Sequence, residues 1–123
     1  MIYTSYFAMA NKLPGAISIY PKPPAWFAGD VAENLAADDD MFRKIKSYKI
    51  SKQEFADYYL GEVLMQRDPE ALLAEYDGKT LLGWSADDPY DCRFIFQQYM
   101  KYYVGDVVRE LTKREIELGI RYD

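Results

Sequence analysis

Residues 81–100 constrain the fold most, because an apolar run, an acidic turn and a long amphipathic stretch follow one another without a break. Thr80, Leu81, Leu82, Gly83, Trp84 and Ser85 read as a strand, and Ala86, Asp87 and Asp88 as the loop after it. Asp88 and Pro89 then carry a helix-start signal. An aspartate can accept from the first unpaired amides, and proline lacks the N–H that would be orphaned there. Cys92, Ile95, Phe96, Tyr99, Met100 and Tyr103 recur at the spacing of one helical face, and Gly105 ends the run. A strand feeding a helix through a tight loop is the unit of a parallel sheet, and such loops hold the ligands of α/β proteins.

The rest of the chain supplies partners for that unit. Ile2, Tyr3, Thr4, Ser5, Tyr6 and Phe7 are β-branched, aromatic or small and suit an early, central strand, followed by a turn or short helix. Ala16, Ile17, Ser18, Ile19 and Tyr20 read as a second strand, closed where Pro21, Pro23 and Pro24 forbid further ladder bonding. Trp26 and Phe27 then lie on irregular backbone, roofing the core or lining a cleft. Residues 31–37 have the composition of two helical turns, and Asp38 to Asp40 can cap a further helix carrying Met41, Phe42 and Ile45.

Ser51 and Glu54 form a capping box, which predicts a helix over 52–67 with Phe55, Tyr59, Val63, Ala56, Leu60 and Leu64 in one stripe. Asp68 and Pro69 predict another over 69–76, stopped at Asp77 and Gly78, and 106–111 alternates as a last short strand before a charged tail. The expected architecture is a single α/β domain over 1–123, with a mostly parallel central sheet of about four strands flanked by helices.

Composition narrows the function classes. A chain of 123 residues with 50% hydrophobic content can bury a core of its own. Its net charge of −5 argues against bulk nucleic-acid binding, which needs clustered Lys and Arg to release counterions. No apolar stretch approaches the roughly 20 residues that span a bilayer, and the start has neither the basic head nor the apolar body of a signal peptide. A cytoplasmic location is expected, and one cysteine agrees with a reducing compartment. Histidine is absent, which removes histidine-dependent triads and most zinc sites. The charge clusters Asp38, Asp39, Asp40 and Arg43, Lys44, Lys46, Lys49 read as a solvated face.

Cys92 near a helix start has two readings. Exposed amides and the helix dipole would favour its thiolate, with Arg93 beside it, whereas Asp87, Asp88 and Asp91 would oppose ionisation. Its place on the apolar stripe favours a core role. The same three aspartates match no calcium-loop spacing, and no metal or cofactor is expected. Thr4, Ser5, Ser18 and Ser85 lie in or at the ends of candidate strands, where hydroxyls can face a crevice. The twelve tyrosines and two tryptophans exceed what such a core needs, which points to ring stacking or an interface. Tyr59, Tyr99 and Tyr103 belong to helical stripes and are expected in the core, with Trp26 and Tyr90 left for contacts.

The order Ile2-Tyr3-Thr4-Ser5-Tyr6-Phe7-Ala8, Ile17-Ser18-Ile19, Pro24-Ala25-Trp26-Phe27-Ala28-Gly29, Tyr58-Tyr59, Val63-Leu64, Asp68-Pro69 and Leu81-Leu82-Gly83-Trp84 leading to Cys92 resembles the domain of unknown function 488 family of small bacterial and phage proteins. The resemblance runs to about Val108 and implies a compact α/β sandwich and a phage or prophage association. Members usually carry Cys-His-Arg where this chain has Cys92-Arg93-Phe94. They often carry a cysteine at the place of Gly83 and an acidic residue at that of Ser85. The cysteine is kept and its partners are not, which weighs against catalysis; no catalytic residue is assigned.

Two functions follow as expectations. The first is binding of a small, nucleotide-like ligand in a crevice at the strand ends. Thr4, Ser5, Ser18 and Ser85 would donate hydrogen bonds, Tyr6 and Trp26 would stack, and Asp87, Cys92 and Arg93 would complete the site, with Arg93 pairing an anionic group. The second is a noncatalytic acidic interaction protein, an inhibitor or adaptor of phage type that docks on a host protein through its aromatics. A homo-oligomer is compatible with both.

Overall fold

A computed structural model describes residues 1–119. Its frame is one four-stranded, wholly parallel sheet with strand order β2-β3-β1-β4, where β1 is Ile2–Tyr6, β2 Ile17–Ser18, β3 Thr80–Gly83 and β4 Val108–Glu110. β1 is central, with Thr4 opposite both Leu81 of β3 and Glu110 of β4. All four residues of β3 are buried, as a parallel strand covered on both faces requires.

The helices are α1 (Asp39–Lys46), α2 (Lys52–Tyr58), α3 (Pro69–Tyr76), α4 (Cys92–Val104) and α5 (Lys113–Leu118), with a 3₁₀ segment at Phe7–Lys12. Strand alternation assigns their layers. Thr4 and Glu110 turn toward Arg93 of α4, whereas Tyr3 and Arg109, one residue along, turn toward Glu115 of α5. Thus α4 and α5 cover opposite faces. One core joins Ile2, Leu81, Leu82, Phe96 and Met100 to Tyr59 and Leu64. No helix among the described residues is long and apolar enough to cross a membrane.

Five local outcomes differ from the sequence-based expectation. Residues 52–66 wind continuously, but α2 gives way at Tyr59–Val63 to a π turn and then to a 3₁₀ turn at Leu64–Gln66. Gly61 lies in that π turn, and Tyr59 uses its hydroxyl to donate to the Leu35 carbonyl at 2.6 Å. Residues 31–37 make turns rather than a helix, because the Ser18 amide donates to Asp30 and the Ala32 amide donates back to Ser18, each at 2.8 Å. The cap of α4 is Asp91, not Asp88. The charged tail forms α5, started by a second capping box between Thr112 and Glu115. Tyr59 and Tyr99 are core residues, but Tyr103 is 49% exposed.

The α5 layer titrates with a definite sign. Arg109 donates to Glu115 at 2.8 Å, and with the Thr112 amide it holds that carboxyl at about 2, below its ordinary 4.5. A carboxyl depressed by folding stabilises the fold above its unfolded value, and that contribution disappears as pH falls through the folded one. Urea unfolding of Arg109→Met at stepped pH should therefore show a flatter loss of stability between pH 4.5 and about 2 than the parent chain. An unchanged slope would remove Glu115 as its source.

Candidate functional site

The carboxyl ends of β2 and β3 open on a cleft of about 750 Å³, within the size range of small-molecule sites. Beyond β3 come Trp84 and Ser85; beyond β2, Tyr20 supplies the floor. The opposite wall is α1, the α1–α2 turn and the first residues of α2, which contribute Phe42, Ile45, Lys46, Tyr48, Lys49, Ser51 and Phe55. Tyr20 packs on Phe42 at a ring distance of 5.0 Å, and its buried hydroxyl accepts from the Cys92 amide at 2.9 Å. Burial, reinforced by the nearby Cys92 and Asp91, pushes the Tyr20 hydroxyl's pKa up and keeps it neutral.

Two acids of the β3–α4 loop, Asp88 and Asp91, accept from its own backbone amides. Asp91 accepts from the Trp84 and Ser85 amides at 2.9 and 3.0 Å while capping α4 through the Arg93 amide. Asp88 accepts from the Tyr90 amide and pairs with Lys52 across the cleft at 2.8 Å. Burial would raise the Asp88 carboxyl, but the Lys52 and Tyr90 hydrogen bonds win and lower it.

Behind the loop lies a closed polar network. Arg93 has no exposed surface and grips Glu110 with both Nε and Nη2, at 2.9 and 3.0 Å, while Nη2 also donates to the Ala86 carbonyl. Its Nη1 stands 3.0 Å from Asp91 as an ion pair without hydrogen-bond alignment. Thr4 donates to the same Glu110 at 2.7 Å, and the guanidinium lies over the Phe94 and Tyr6 rings.

The sequence-derived site residues thus separate into groups. Thr4, Tyr6 and Arg93 meet in this network, where Arg93's donors face protein acceptors. Ser85 lines the cleft, and its hydroxyl accepts from the Asp88 amide. Ser18 is buried and satisfied by the Tyr20 backbone, and Ser5 is buried with its hydroxyl unpartnered among the described residues. Cys92 is fully buried beneath Tyr20; burial pushes its thiol well up, against a Tyr20 hydrogen bond that lowers it. Trp26 is 64% exposed and Asp87 is exposed, and neither lines the cleft.

Tyr90, expected to make contacts, does line the cleft, beside Tyr48, beside Trp84, expected as part of a strand, and beside Lys46 and Lys49, expected as part of a solvated face. Only the fold brings residues 42–55 against 84–91. Among the described residues no acidic or sulfur cluster has the makings of a metal site. No protein-family model, curated protein or solved structure matches this chain.

Proposed function

We propose that the protein binds a small, nucleotide-like ligand in the cleft at the carboxyl ends of β2 and β3. One observation carries this reading: a 750 Å³ hollow walled by aromatic rings, with Ser51 and Ser85 as polar points, lies where parallel sheets hold their ligands. Rings of this kind accept any planar heterocycle. The kinship with the domain of unknown function 488 family belongs to the same proposal.

Thermal unfolding of the full chain with a nucleoside and nucleotide panel tests it. A ligand that binds only the folded state stabilises by RT ln(1 + [L]/Kd), about 2.7 kcal/mol at a hundredfold excess over Kd. At least one member should raise the midpoint for the parent chain, and Tyr90→Ala with Trp84→Ala should erase the rise. A flat panel, or a rise that survives both changes, rejects the cleft as the site.

A further inference from the structure

We infer that the ligand of this cleft is a phosphomonoester of a planar heterocycle, with Tyr48 as the stacking face and Lys46 and Lys49 as the counter-charges of the phosphate. This rests on the proposal that the cleft binds a small molecule, and it specifies the chemistry.

The first line of reasoning is backbone strain. Helix α1 ends in a Schellman motif, in which the Lys49 amide donates to Lys44 at 2.9 Å and the Tyr48 amide to Ile45 at 3.2 Å. The residue between must be left-handed, and Tyr48 has φ 59°; every other positive φ among the described residues belongs to a glycine. A side chain at such a φ is disfavoured relative to glycine, because its Cβ crowds the backbone carbonyl. Core packing does not offset that cost, since Tyr48 is 93% exposed. An aromatic ring held in a disfavoured conformation, in solvent, on the lip of an aromatic cleft has a use outside folding.

Charge gives the second line, independently. Three acids line the cleft and each is committed: Glu54 to the Ser51 amide, Asp88 to Lys52 and the Tyr90 amide, and Asp91 to the Trp84 and Ser85 amides. Lys52 is neutralised by Asp88. Lys46 rests over the Trp84 and Phe42 rings at 4.8 and 5.2 Å, and neither it nor Lys49 makes an ion pair among the described residues. In a chain of net charge −5, the cleft therefore presents two lysines without an ion pair among the described residues, against one lining carboxylate outside an ion pair, that of Glu54. A phosphomonoester carries about −1.5 to −2 near pH 7, which matches them, and lysine is a suitable point-charge partner.

Calorimetric titration of the full chain with AMP, adenosine and ribose 5-phosphate separates ring from phosphate. AMP should bind at least about tenfold more tightly than either fragment. Tyr48→Gly should raise the thermal midpoint and weaken AMP by about tenfold, leaving ribose 5-phosphate unchanged. Lys46→Gln with Lys49→Gln should reduce AMP to the affinity of adenosine. Adenosine binding as tightly as AMP, or Tyr48→Gly retaining AMP affinity, overturns the inference while the small-ligand proposal stands. Absence of binding by all three probes overturns the inference, whereas the small-ligand proposal falls only with a flat nucleoside and nucleotide panel.

Discussion

Replacing Arg93 with methionine should lower the unfolding free energy by about 3–5 kcal/mol, because breaking one side of a buried ion pair leaves the other charge without compensation. Arg93 ties the end of β4, the start of α4 and the loop carbonyl of Ala86 to one planar head. Without it, Asp91 keeps a carboxylate on a side chain that is 2% exposed, and Glu110, at 27% side-chain exposure, recovers only part of its hydration. Lysine should not restore the loss, since an ammonium cannot bond both Glu110 oxygens side by side. Removing both partners is the informative control: in Arg93→Met with Glu110→Leu, part of the stability should return, because no carboxylate is then stranded on β4. Urea unfolding at neutral pH measures all three. A loss below about 1 kcal/mol for Arg93→Met would mean that solvent reaches the network.

That network marks where local reading ends. The strand, loop and helix around Leu82 and Ile95 were legible because burial on a sheet and on one helical face imposes periods of 2 and 3.6 that short windows contain. Arg93 reads as a free anion-binding head because its partner Glu110 lies 17 residues on, in β4. The cleft was hidden for the same reason, since Lys52 and Asp88 meet across 36 residues. Asp88 and Asp91 both satisfy the rule for a cap, and only packing decides that Asp91 turns inward while Asp88 turns to Lys52. By contrast, the Thr112-x-x-Glu115 box that begins α5 stands in the sequence in the same form as the Ser51-x-x-Glu54 box that begins α2. Its neighbours are charged, so no apolar stripe announced the helix.

Gly83→Ala should be nearly as damaging as the loss of Arg93, although it adds one methyl group. A Cβ at Gly83 would stand 2.0 Å from Asp91 Oδ1 and 2.8 Å from Arg93 Nη1, far inside van der Waals contact. Asp91 cannot step aside cheaply, because its other oxygen holds the Trp84 and Ser85 amides and it caps α4. Forced overpacking costs about 1–3 kcal/mol, and each buried donor left without an acceptor adds about 1–3 kcal/mol more. The same movement would shift Trp84 and Ser85 at the cleft wall, so ligand affinity should fall together with stability. The space a side chain at position 83 would need is filled by a carboxylate reaching back from the helix start. Asp91→Ser shortens that side chain while keeping a capping hydroxyl, so Gly83→Ala should cost much less in that background than in the parent chain. Equal costs in the two backgrounds would show that the strand, not the carboxylate, excludes the methyl group.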